Sequence, residues 1–111
     1  FSTDGGVTFG SPVVVDDGNP MGRVDLVMAN DGAAIVSWLE TGDGSGAEVK
    51  LRRVSGDGTA SGSASVTTSS AERASGFPQL IQHSDGSLMM AWTDVGSEDA
   101  RVRVARVEIS N

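Results

Sequence analysis

Two arginines are the residues of this chain best suited by type and position to bind an acidic ligand, and one aspartate is placed where it could take part in hydrolysis. Arg23 opens an apolar run and Arg73 lies in the corresponding stretch of the second half of the chain. A guanidinium at such a position can hold a carboxylate through two parallel hydrogen bonds, although surface arginines are more often solvated or ion-paired. Asp25 supplies one carboxylate, but glycoside hydrolysis needs a pair, and the sequence does not indicate a second carboxylate to act with Asp25. The sequence therefore predicts ligand binding by Arg23 and Arg73, and no catalytic residue.

Few side chains of this sequence are suited to bind a metal or a cofactor. Asp16–Asn19 offers oxygen atoms that suit Ca²⁺, but Asp, Gly and Asn also favour a plain turn, and calcium needs six or more oxygens. The chain has no cysteine, so thiolate metal sites and disulfides are excluded. His83 has no partner at a recognisable spacing and is predicted to be an exposed turn residue. We predict neither a bound metal nor a cofactor.

Charge and hydropathy exclude two classes of partner. The formal net charge of the 111-residue chain is −7, and its Lys and Arg residues form no basic stripe. Binding to nucleic acid or to an anionic membrane surface depends on such a stripe. No apolar run approaches the length of a membrane span.

The chain repeats itself with a period of about 54 residues. At an offset of 54, "GRVDLVMANDGAAIVSWLE" falls on "GFPQLIQHSDGSLMMAWTD", which aligns Leu26 with Leu80 and Trp38 with Trp92. At an offset of 53, Ala47–Val54 falls on Ala100–Val107. Such a period indicates a repeat architecture.

Each period predicts four short strands and no helix. They are, in repeat order, Arg23–Met28 and Pro78–Gln82, Ala34–Leu39 and Leu88–Thr93, Val49–Val54 and Val102–Val107, and the outer strands Pro12–Val15 and Ser65–Thr68. Four-stranded antiparallel units that repeat every 40 to 55 residues are typical of a β-propeller. We therefore predict an all-β fragment of two blades: residues 1–15 as an outer strand, 22–68 as the first blade and 76–107 as a second blade without its outer strand. Trp38 and Trp92 are expected to fill the interfaces between blades.

The opening "FSTDGGVTF" resembles the Asp box of bacterial neuraminidase repeats through Ser2, Asp4, Gly6, Thr8 and Phe9. A second, degenerate box retains Ser55, Asp57 and Gly58. The resemblance implies a sialidase-like, six-bladed propeller in which the box forms a hairpin between two strands and Phe9 plugs the space beneath the turn. It places ligand contacts at the opposite end of the blades, on Asp16–Arg23, Glu40–Gly46, Ser70–Phe77 and Asp94–Asp99.

Two functions remain open. Sialidases use a nucleophilic tyrosine, and this chain has no tyrosine. The first hypothesis is therefore a part of an exported sialidase-like protein, extracellular or periplasmic, that recognises glycans while any hydrolysis depends on residues elsewhere. The alternative is a non-catalytic propeller scaffold that binds a protein or peptide.

Two blades alone would leave their flanks uncovered. The chain has neither a signal peptide nor an initiator methionine, so we expect it to be cut from a longer propeller or to assemble with itself. Three copies joined head to tail would close a six-bladed ring.

Overall fold

The computed structural model describes residues 1–42, 46–70, 75–95 and 99–109. These residues form two antiparallel sheets and contain no α-helix. The first sheet consists of β1 (Asp25–Met28), β2 (Ala34–Thr41), β3 (Gly46–Val54) and β4 (Ala64–Ser70). The second sheet consists of β5 (Gln79–Gln82), β6 (Leu88–Asp94) and β7 (Arg101–Val107). Neighbours in each sheet are consecutive in the chain, which confirms the predicted all-β, up-and-down order.

Asp-Gly pairs set the register of both leading hairpins. Gly32 has a φ of 86° and its amide donates to the Ala29 carbonyl at 2.9 Å, while the Asp31 carboxylate accepts from the Ala33 amide. Only glycine adopts such a φ without strain. The turn places Met28 opposite Ala34, and the Asp85-Gly86 turn repeats this geometry in the second sheet.

One apolar core lies between the two sheets. Its buried members come from both: Ile35, Leu39, Ala47, Val49 and Leu51 from the first sheet, and Leu80, Leu88 and Met90 from the second. Trp92 packs against this core, as predicted for a residue between two repeats. Trp38 is also buried, and the Arg52 guanidinium lies 5.8 Å from its ring centroid. The sheets therefore stabilise each other rather than folding as independent units.

The predicted outer strand Pro12–Val15 is not formed within this chain. No described strand lies beside these residues to supply ladder hydrogen bonds, and they have no regular secondary structure. At the other end, β7 pairs with β6 and with no other strand of the described ranges, so the second sheet has three strands there. Among the described residues, no helix has the length and apolar character that a membrane crossing requires.

Candidate functional site

The Arg23 side chain is hydrogen-bonded to the connection between the two sheets. Its backbone has a φ of 55°, a left-handed conformation that is strained for a residue with a side chain. Its guanidinium donates to the Ser75 hydroxyl, and to the Gly76 carbonyl at 3.3 Å. Ser75 is buried and donates in turn to the Ser70 carbonyl at 2.9 Å. The predicted ligand residue thus braces the connection that leads from the first sheet into the second.

Asp25, two residues further along, makes a second link between the sheets. Its Oδ2 accepts a hydrogen bond of 2.6 Å from the Leu80 amide, and its Oδ1 accepts from the Leu26 amide at 2.9 Å. The second predicted ligand residue, Arg73, lies outside the described residues, as do positions 43–45, 71–74 and 96–98 of the predicted ligand-facing segments. Within the part that is described, the side chains at this end hold the fold together.

Glu40 is a buried carboxylate. From the sequence it is expected only as part of a segment that faces the ligand. It is 5% exposed, and three donors reach it: the Asp17 amide at 2.9 Å, the Asn19 amide at 3.3 Å and the Trp38 indole at 3.1 Å. A buried carboxylate needs such a set of donors to offset its loss of hydration. The sequence does contain a signal for this carboxylate. Residues two apart on a strand share a face, and Glu40 follows Trp38 at the same spacing at which Asp94 follows Trp92.

The acidic run considered for calcium instead anchors a loop onto the first sheet. Asp17 accepts from Lys50 at 2.8 Å, from Arg52 at 2.8 Å and from the Ser63 hydroxyl at 2.6 Å. The Lys50 ammonium, followed by the Ser63 hydroxyl, lowers the pKa of the Asp17 carboxyl to about 2. Two cations therefore occupy the oxygens that a metal ion would need. No group of three or more potential metal-ligating side chains occurs across the described ranges.

Residues 2–9, the segment that resembles an Asp box, form a closed turn. The Ser2 hydroxyl donates to Asp4 at 2.8 Å and accepts from the Gly6 amide at 2.8 Å. The Asp4 carboxylate accepts from the Val7 amide at 3.1 Å, and from the Thr8 amide and hydroxyl at 2.9 and 2.5 Å. The Thr8 hydroxyl is the main cause that lowers the pKa of Asp4 to about 2. Ser2, Asp4 and Thr8 thus all take part in the hydrogen bonds that hold the turn.

Phe9 differs from its expected role. It is 72% exposed instead of plugging the space beneath the turn. It lines an apolar cleft of about 460 Å³ on the outer face of the first sheet, opposite Val24, Leu26 and Val36. The turn closes above this cleft through a hydrogen bond from the Gly10 amide to the Phe1 carbonyl.

The degenerate box is a simpler turn held mainly by the backbone. The Gly58 amide donates to the Ser55 carbonyl at 2.9 Å, and the Thr59 amide donates to Asp57 at 2.9 Å. Hydrogen bonding by Thr59 lowers the pKa of Asp57. The turn therefore keeps its place between β3 and β4 without the threonine and aromatic residue of the first box.

A polar cleft of about 560 Å³ opens between the two Asp-Gly hairpins. Its rim includes Asn30, Gln82 and Arg106, and Asp31 is ion-paired there with Arg53. His83 lies beside this end of the second sheet with an exposed imidazole 3.6 Å from Asp85. The cleft offers hydrogen-bonding groups of both kinds, as a polar, uncharged ligand requires.

No protein-family model, curated protein or solved structure matches this chain. Function is therefore inferred from the geometry described above. In it the carboxylates Asp4, Asp17 and Glu40 act as acceptors for structural donors.

Proposed function

We propose that the two sheets are two blades of an Asp-box β-propeller that serves as a non-catalytic scaffold for a protein partner. The observation that carries this proposal is the use of Arg23 and Asp25. Asp25 lies at the start of β1 and is hydrogen-bonded to the second sheet. Arg23, two residues before it, is hydrogen-bonded to the connection that leads into that sheet. The Ser75 hydroxyl and the Gly76 carbonyl already accept from Nη1 of Arg23, so a sugar carboxylate would have to compete with them for that nitrogen.

The repeat supports the blade interpretation. Two antiparallel sheets with the same strand order follow each other in the chain, and one apolar core lies between them. The Asp-box turn adds a motif of exported bacterial repeat proteins. The proposal accordingly includes a location outside the cytoplasm.

Charge favours a partner with a basic surface. The net charge of the chain is −7, while Lys50, Arg52, Arg53 and Arg103 are each ion-paired to an aspartate. Opposite charge speeds association and makes it sensitive to salt. We therefore expect partner binding to weaken as ionic strength rises.

Glycan recognition is a second candidate, and the polar cleft between the hairpins favours it. Asn30, Gln82 and Arg106 present amide and guanidinium groups there that can exchange hydrogen bonds with sugar hydroxyls. In this second candidate function the glycan occupies the cleft between the hairpins, which Arg23 does not line.

Turnover and glycan-binding assays with variants separate these functions. On the full protein we expect no hydrolysis of a fluorogenic sialoside. We also expect that Arg23→Ala does not change the glycan-array signal. Glycan binding lost in Gln82→Ala but kept in Arg23→Ala would favour the second candidate. Turnover, or glycan binding abolished by Arg23→Ala in a protein that remains folded by circular dichroism, would contradict the scaffold proposal.

A further inference from the structure

Equivalent apolar residues of the two repeats differ sharply in exposure. Val49 and Leu51 of β3 are 0% and 1% exposed, because the second sheet covers them. Their repeat counterparts on β7, Val102 and Val104, are 75% and 61% exposed. The second sheet therefore presents a bare copy of the face that the first sheet buries.

The opposite face shows the reverse relationship. Leu80 of the second sheet is 3% exposed against the first sheet, whereas its counterpart Leu26 is 50% exposed. Likewise Pro78 is buried while its counterpart Val24 is 60% exposed. The first sheet thus leaves uncovered, at Val24 and Leu26, part of the face that the second sheet buries, while Ala34 and Val36 on that face are buried within the chain.

A free strand edge and an unpaired segment complete this pattern. In the first sheet β3 pairs with β4, and Val49 lies opposite Thr67. The repeat equates β3 with β7, and β4 with the segment around Pro12–Val15. Neither β7 on its outer side nor that segment has a strand partner within the described ranges, and Val14 is 76% exposed.

We propose that a second copy of the chain covers these surfaces in a head-to-tail interface. Residues 11–15 of one copy pair antiparallel with β7 of the next and become the fourth strand of its second sheet. The bare face at Val102 and Val104 then enters the apolar cleft of about 460 Å³ between Phe9 and Leu26. The interface uses positions through which the two sheets of one chain already pack. Val102 and Val104 take the places of Val49 and Leu51, and Leu26 takes the place of Leu80.

The register of this pairing follows from β3 and β4. Since Val49 lies opposite Thr67, Val102 of one copy lies opposite Val14 of the other. Arg103 projects to the other face of the sheet, because the side-chain period of a strand is two. Such a heterologous interface generates a ring if it closes and a fibre if it does not.

Cysteine pairing tests the register, since the chain has no native cysteine. A mixture of Val14→Cys and Val102→Cys chains, oxidised mildly, should give a disulfide-linked pair of twice the 11.3 kDa chain mass. The matched mixture of Val14→Cys with Arg103→Cys should give at least about tenfold less, because the thiols lie on opposite faces. Equal yields from the two mixtures would overturn the proposed register.

Light scattering with a charged variant tests the association itself. Wild type should form assemblies larger than one chain, and Val104→Glu should raise the concentration needed by about tenfold or more, because a charge would be buried. Val7→Glu is the matched control, since Val7 is 81% exposed in the Asp-box turn and lies outside the proposed interface. A folded wild-type monomer of 11.3 kDa across the micromolar range would overturn the proposal and assign the bare faces to another occupant. This result would leave the turnover and glycan assays unaffected.

Discussion

The Asp25 carboxylate of β1 accepts a hydrogen bond of 2.6 Å from the Leu80 amide of β5. Each of these strands is at the edge of its own sheet, where backbone amides lack a ladder partner. The side chain of one sheet thus satisfies the backbone of the other. This link, with the bonds from Arg23 to Ser75 and Gly76, fixes the relative position of the two repeats.

Asp25→Ala should lower the free energy of unfolding by about 1–3 kcal/mol, because the partly buried Leu80 amide loses its acceptor. Asp25→Asn retains a side-chain oxygen and should lose less. Urea denaturation followed by circular dichroism measures both values. Equal stability of wild type and Asp25→Ala would show that the link is energetically unimportant.

Replacement of Glu40 should be more damaging. Glu40→Ala leaves the Asp17 and Asn19 amides and the Trp38 indole without an acceptor, and we expect a loss of about 2–4 kcal/mol. In a Trp92→Phe background, the emission of the remaining Trp38 should shift as its indole loses the carboxylate.

Glu48 provides the matched control, since it lies opposite Glu40 on β3 with a side chain that is 41% exposed. Glu48→Ala should change stability by no more than about 0.5 kcal/mol. Similar losses in the two variants would contradict the assignment of Glu40 as a structural acceptor.

Local signals predicted the strands well, because their causes are local. The Asp31-Gly32 turn determines the pairing of β1 with β2 through two short-range bonds, which the dipeptide encodes. The end of β2 was harder to predict. It extends past Leu39 to Thr41, because Glu40 and Thr41 pair with β3 and Glu40 also bridges Pro20.

Features that depend on distant partners escaped sequence reasoning. The apolar pattern of Pro12–Val15 predicts a strand, but a strand needs a neighbour, and the described chain supplies none. The brace at Arg23 requires a left-handed backbone and a buried serine 52 residues away, and neither is visible in local sequence. Residue type predicts a ligand site there, which stays a prediction, and tertiary contacts give the arginine a structural role as well.

Acid should destabilise the chain through Asp17. Its pKa is lowered to about 2 in the folded state, below the value of about 3.9 expected for an unfolded chain. The stabilisation is therefore complete above the unfolded pKa and is lost as the pH falls from about 5 towards 2. Asp17→Asn should be less stable than wild type at neutral pH, and this difference should shrink over that range.

Thermal melting of both proteins from neutral pH to pH 2 measures this convergence. Lys50→Met removes the main cause of the lowered pKa. The melting temperature of this variant should therefore also fall less than that of wild type as the pH decreases. Parallel pH profiles of wild type and Asp17→Asn would contradict the assignment of Asp17.

The two Asp boxes allow a comparison of local effects within one chain. Asp4→Ala should speed hydrogen exchange at the Val7 and Thr8 amides by roughly tenfold, because both donate to the lost carboxylate. Asp57→Ala should affect chiefly the Thr59 amide, since the rest of that turn is held by backbone bonds. Neither change should alter global unfolding greatly, because both turns are on the surface. Exchange measured by NMR at low temperature distinguishes the sites, and unchanged rates at Val7 and Thr8 would show that the first box does not depend on its aspartate.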